Sequence, residues 1–238
     1  MKLETHCHIL GGSCCAKADD DYVLSTYKNV GYDGIVVTNH YTPVCSIAYQ
    51  GTNHEEKVNY WFNLIDSFRE KAKNYGIKIF YAGEVDLIKE DGFRTEFMVI
   101  GLTKEFLLKH DKIATYNQQK LFELCEENGF FMYQTHPFRK GVKVADPRFM
   151  HGAEAFNGHF HHDNNNALAV KFCEENKLVK LSGSDFHDYG QRPLGGLILP
   201  EIKNEKEYIN ALLKNNYSLI VNEEEYINDR KTYLNSLK

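Results

Sequence analysis

Five times along this chain a short apolar segment with strand character runs into a histidine or a carboxylate, and that recurrence limits the folds open to it. Lys2 to His8 alternates and ends in His6-Cys7-His8, and Asp33 to Thr38 ends at Asn39-His40. Ile77 to Val85 carries Glu84, Phe130 to Thr135 ends at His136, and Leu178 to Ser182 runs into Gly183-Ser184-Asp185-Phe186-His187. Helical stretches lie between them. Tyr22 to Val30 stops at Gly31, and Asn53 to Tyr75 is apolar at Val58, Trp61, Phe62, Ile65, Phe68 and Ala72. Gln118 to Asn128, Ala167 to Asn176 and Glu205 to Asn215 complete the set. Strands alternating with helices imply a mainly parallel α/β sheet, and periodicity alone leaves open a doubly wound sheet or a closed barrel. In a barrel the strand ends gather on one face, where active sites are built.

The 238 residues suit a single α/β domain over 1–238. The net charge of −5 offers no general attraction to nucleic acid or anionic membrane. No apolar run approaches the roughly 18 residues that span a bilayer, and Met1 to His6 lacks the apolar core of a signal peptide. Cys7, Cys14, Cys15, Cys45, Cys125 and Cys173 form no CxxC pair and read as reduced thiols, which places the chain in the cytoplasm.

His6 and His8 share a face of an alternating strand, so together they make half of a metal site, with Glu4 at the same parity to orient a ligand ring from behind. Alone, HxH is as readily two surface histidines. With His40, Glu84, His136, Asp185 and His187 the chain offers seven N/O ligands at five strand ends, which chance does not readily supply. Asn157-Gly158-His159-Phe160-His161-His162 follows the short strand Ala153 to Phe156 and reads as substrate contact before metal ligation. His54, His110 and His151 have no partner visible in the sequence.

The chain resembles the polymerase-and-histidinol-phosphatase (PHP) superfamily, in Glu4-Thr5-His6-Cys7-His8, Gly34 to His40, Gly83-Glu84-Val85-Asp86, Thr135-His136-Pro137-Phe138-Arg139 and Gly183-Ser184-Asp185-Phe186-His187, in order. The resemblance implies a distorted (β/α)7 TIM-like barrel holding two or three divalent ions, with Zn, Mn or Fe suited to the mixed donors. It implies that His6, His8, Glu84 and Asp185 hold the first ion, that Glu84 bridges to a second bound by His136, and that His40 and His187 belong to a third. Two departures stand out. Phe97-Met98-Val99-Ile100 lacks the family's histidine for the second position, and Gly11-Gly12-Ser13-Cys14-Cys15 lacks one for the third. Cys14 or Cys15 can substitute and tilt the site towards zinc, or either is a loop thiol without metal.

The chemistry such a site serves is hydrolysis of a phosphate ester, with Glu84, Asp185, His187 and Arg139 as catalytic candidates and a small phosphorylated molecule as substrate. Arg139, Arg192 and Lys17 are the candidates for gripping the phosphate, each with an equal claim to a solvated or ion-paired role. The alternatives are a metal-stabilised binding or regulatory module, a nuclease, or a protein-tyrosine phosphatase of the same superfamily. The sequence does not assign an oligomeric state.

Overall fold

The computed structural model describes residues 1–41, 51–88 and 94–238. Cys45 and most of the polar stretch around Lys89 to Thr95 therefore lie outside the described residues. In chain order the elements are β1 (Lys2–Cys7), α1 (Asp20–Asn29), β2 (Gly34–Val37), α2 (His54–Ala72), β3 (Lys78–Ile88), β4 (Arg94–Ile100), α3 (Lys104–Lys109) and α4 (Gln118–Asn128). There follow β5 (Phe131–Gln134), β6 (Gly152–Asn157), α5 (Asn166–Asn176), β7 (Val179–Gly183), β8 (Gly195–Ile198), α6 (Glu205–Leu213), β9 (Ser218–Val221) and α7 (Glu223–Ser236). Asparagine or aspartate side chains cap α1, α2, α4 and α6, which explains why their starts are legible.

The sheet runs β7-β6-β5-β4-β3-β2-β1-β8-β9. β1, β2 and β3 are mutually parallel, as are β5, β6 and β7, while β4 lies antiparallel between β3 and β5. These seven strands form the expected distorted barrel. It closes where the end of β1 meets the segment after β7, through His8 N–H to Phe186 O at 2.9 Å and Phe186 N–H to His6 O at 3.2 Å. The antiparallel pair of β8 and β9, joined through α6 and not announced by the sequence, adds to the start of β1 through β8 and raises the strand count to nine. Among the described residues, no helix is long and apolar enough to cross a membrane.

Alternation along the strands divides the apolar residues into two layers. Ile35, Val37, Val85 and Val99 face outward and pack with Tyr27 of α1 and Trp61 and Phe68 of α2. Leu3, Val36, Phe80, Met98 and Phe131 fill the barrel and are closed off by Tyr208 and Leu212 of α6. Above that plug, Glu84 and Asp86 continue the inward parity of Phe80 and Ala82, and Glu96 that of Met98.

β1 breaks the alternation. Glu4 pairs with Ile35 but Cys7 with Val37, so β1 spends one residue more than β2 over the same span. Glu4 thereby faces outward, where its Oε2 accepts from the Tyr27 hydroxyl at 2.8 Å. The parity that would have set Glu4 beside His6 and His8 does not survive the bulge. Its Oε1 instead accepts N–H groups of Thr5, His6 and Ser184, each at 2.9 Å, so one buried carboxylate ties the bulge to the barrel's closing strand.

Candidate metal centre

His6 and His8, turned inward by the bulge, meet Glu84 from β3 and Asp185 from the loop after β7. Asp185 and His136 have left-handed backbones, φ 52° and 29°, which cost a side-chain-bearing residue energy and tend to cluster at functional sites. Gly183 is needed for the approach, because a Cβ there would stand 2.5 Å from His6 Cβ. The two Nε2 atoms are 3.1 Å apart, and Asp185 Oδ1 lies 3.2 Å from that of His6 and 3.5 Å from that of His8. Glu84 closes the group, with Oε1 3.6 Å from His6 Nε2 and Oε2 3.4 Å from His8 Nε2. Ligands held about 2.1 Å from one tetrahedral ion stand roughly 3.4 Å apart, so these four donors are spaced as a single cation requires. All four residues are at most 1% exposed.

Each ring is fixed from behind. His6 Nδ1 lies 3.0 Å from Glu154 Oε1, His8 Nδ1 2.9 Å from Ser13 Oγ, and His187 Nδ1 2.8 Å from the Asp185 carbonyl. A carboxylate or carbonyl only accepts, so Nδ1 of His6 and of His187 carries a proton and Nε2 is the nitrogen left for the rim. Glu154 Oε2 also accepts the backbone N–H of His136 at 2.9 Å. Burial alone would neutralise the acids, yet His6 and Arg139 hold Asp185 well below the carboxylate range, and His40 and His6 do the same for Glu84. Burial also works against a charged His6, but Asp185, Glu154 and Glu84 hold it well above its usual value. His8 is pushed well below by burial and by His187. Positive charge is thus demanded at the point where the Nε2 atoms converge.

A second group adjoins the first. His136 Nε2 lies 3.4 Å from Glu84 Oε1 and 3.6 Å from Glu96 Oε2, and His40 Nδ1 is 3.1 Å from Glu84 Oε2. Donor atoms of His40, Asp86 and Glu96 lie within 4.8 Å of one another. Glu96 and Asp86 were not singled out in the sequence. The antiparallel register opposes them, and Glu96 stands immediately before the Phe97 to Ile100 run that lacks the expected histidine. Burial pushes the Glu96 carboxyl up to about 7. Among the described residues, the buried atom Glu84 Oε1 has no hydrogen-bond partner, which suits a donor meant for a cation. His187 completes the seven expected ligands, its ring stacked on His8 with centroids 4.2 Å apart. All seven thus gather on one rim of the barrel.

A cavity of about 560 Å³ opens over this rim, lined among others by Lys17, Arg139, Lys140, His161 and His162. Arg139 is more committed than a free phosphate clamp. Its Nη2 donates to Asp185 Oδ2 at 2.6 Å and Asn157 Oδ1 at 2.9 Å, and its Nε to Asn164 Oδ1 at 2.8 Å. Lys17 reaches the cavity with Nζ 3.2 Å from Asp188 Oδ1. Arg192 is not among the lining residues and pairs with Asp229 and Glu225 of α7. His159 Nδ1 donates to the Asp185 carbonyl at 2.9 Å, so it supports the loop as well as lining the cavity. His54 and His151 bond Leu107 O and Glu126 away from the site. Not all cysteines are reduced: Cys14 is disulfide-bonded, while Cys7, Cys15, Cys125 and Cys173 are free.

No protein-family model matches the chain, and no curated protein matches it. Solved structures do. PsfC from Pseudomonas syringae superposes with a TM-score of 0.66 at 18% identity, over 100% of this chain and 98% of that one. A two-domain protein from Bacteroides vulgatus containing a predicted PHP-like metal-dependent phosphoesterase gives 0.61 at 18% identity, over 93% of this chain. This chain spans only 64% of that protein's length. Endonuclease Q, in complex with a 27-mer duplex bearing an abasic lesion, gives 0.53 at 13% identity, over 90% of this chain and 57% of that one. The PHP resemblance read from the sequence is borne out in the fold.

Proposed function

From that shared fold, we propose that the chain is a metal-dependent phosphoesterase acting on a small phosphomonoester. One observation carries the reading: His6, His8, Glu84 and Asp185 present four buried donors 3.1 to 3.6 Å from their neighbours, in the spacing of one cation's ligands. These residues would hold the first ion, and Glu84 with His136 and Glu96 the second. Divalent cations so held supply charge against the phosphoryl oxygens and a water acidic enough to attack at neutral pH.

The chain's own side chains do the rest. Glu154 and Ser13 hold the His6 and His8 rings in place, so the site is ordered before substrate arrives. Arg139 neutralises Asp185 Oδ2 and lines the cavity where a phosphate oxygen would sit, and Lys17 and Lys140 add positive charge at the cavity wall. His187, with its Nδ1 held by the Asp185 carbonyl, keeps Nε2 available at the rim. The four free thiols fit a cytoplasmic setting, though the Cys14 disulfide removes the argument from a fully reduced chain.

The test is elemental analysis of protein purified without chelator, joined to phosphate release from a panel of phosphorylated metabolites. At least two divalent ions per chain and turnover of one class are expected. Fewer than one bound ion, with no release after metal is added, would sink the reading. The panel includes an abasic DNA duplex, because an endonuclease shares the fold and a nucleic-acid substrate is the second reading. Metal without any hydrolysis would point to a binding or regulatory module.

A further inference from the structure

The last helix, α7, is held to the body on one side only. Of its 14 residues Tyr226 alone is buried, its hydroxyl donating to the His162 carbonyl at 2.9 Å and accepting the Asn164 N–H at 3.2 Å. Asp229 and Glu225 pair with Arg192, and the Tyr233 ring leans on that of His161, with centroids 4.3 Å apart. At about 100° per residue, Glu223, Glu224, Ile227, Lys231, Leu234 and Lys238 fall together on the opposite side. Ile227 and Leu234 are 41% and 43% exposed, and they edge a groove of about 330 Å³ between α7 and the start of α5. Among the described residues, Glu223, Glu224, Lys231 and Lys238 enter no ion pair. Acids in a first turn answer the helix dipole and need no partner. The dipole does not account for two exposed aliphatic side chains on the same stripe, nor for the basic residues that follow them.

We propose that this face of α7 pairs with the same face of a second copy of the chain, antiparallel about a two-fold axis. The stripe is acidic at one end, aliphatic in the middle and basic at the other, so it complements itself when turned end for end. Ile227 then comes opposite Leu234 of the second copy, and Glu223 opposite its Lys238, because both pairs are centred between Arg230 and Lys231. A parallel pairing would set acid against acid and base against base. At the centre, Arg230 is drawn aside to its own Asp163, with Nη2 3.7 Å from Oδ2. A helix of 14 residues is about 21 Å long, so the contact is at the small end of specific interfaces and the dimer is a reversible one. The pairing stands apart from the phosphoesterase reading, although the inner side of α7 backs His161 and His162 of the cavity wall.

Sedimentation velocity of the full chain over a concentration series tests this without reference to turnover. Wild type is expected to pass from monomer to a species of twice the mass. Glu223→Lys with Glu224→Lys makes the four charges of the face all basic, and Lys231→Glu with Lys238→Glu makes them all acidic. Each of these variants alone should dimerise about tenfold more weakly, and an equimolar mixture of the two should recover the dimer. Leu234→Asp, at an exposed position, should abolish dimerisation while keeping the far-ultraviolet circular dichroism of wild type. If lysines at its start unravel the helix, Leu234→Asp and the acidic variant still decide the matter. A chain that stays monomeric at every concentration overturns the proposal and frees the face for a different protein. A dimer that no substitution weakens, or charge variants that stay apart when mixed, overturns it as well.

Discussion

The two sides of the rim are built differently. On the side where β1 meets β7, ring nitrogens and carboxylate oxygens have assigned partners: Glu154 behind His6, Ser13 behind His8, Arg139 and Asn157 on Asp185. On the side of β3 and β4, Glu84 Oε1 and His136 Nδ1 are buried without hydrogen-bond partners among the described residues, and Glu96 is pushed towards neutrality by burial. The first side is set by contacts within the chain, and the second holds donor atoms that a cation would satisfy. A preformed half that captures one ion tightly, beside a half completed by metal, predicts stepwise loading with unequal affinities.

The contrast can be broken most severely at the seam. Asp185→Asn removes a charge that His6, His8 and Arg139 all face, and activity should fall by about 1000-fold or more with loss of the tightest ion. Steady-state kinetics with metal analysis measures both, and an Asn variant with native metal content would show that the first position lies elsewhere. On the other side, Glu96→Gln should cost about 100-fold and one ion per chain, leaving the tight ion in place. If Glu96→Gln loses every ion, the two sides are not separable. Smallest of all, Arg192→Ala breaks only half-exposed pairs to Asp229 and Glu225, so kcat/KM should not move and stability should change by no more than about 0.5 kcal/mol. A large kinetic effect there would restore Arg192 as a phosphate contact.

How legible each side was follows from the same difference. The candidate ligands on strands that alternate or end in parallel order, His6, His8, His40, Glu84, His136, Asp185 and His187, could be read from the sequence on either side. Glu96 could not, because its place depends on β4 running antiparallel to β3, and nothing in an apolar run states its direction. The role of Arg139 was half visible. Its nearness to His136 in sequence brought it to the site, but the pairing with Asp185 joins residues 46 positions apart. Choosing between Cys14 and Cys15 needed the disulfide, and the outward turn of Glu4 needed the bulge. The pair of β8 and β9 escaped because both strands are only four residues long and α6 separates them.

That bulge also sets how the gene can vary. A strand has a side-chain period of two, so removing one residue between Glu4 and His6 would leave the β1–β2 ladder smoother and turn the histidine pair to the opposite face. The chain could still close its barrel, with two imidazoles packed against α1 and no ion at its rim. Point substitutions on the outer surface of β1 are a small matter by comparison. For an enzyme lineage on this scaffold, the length of the first strand is a more stringent inheritance than most of its letters, and single-codon deletions there separate keeping the fold from keeping the centre.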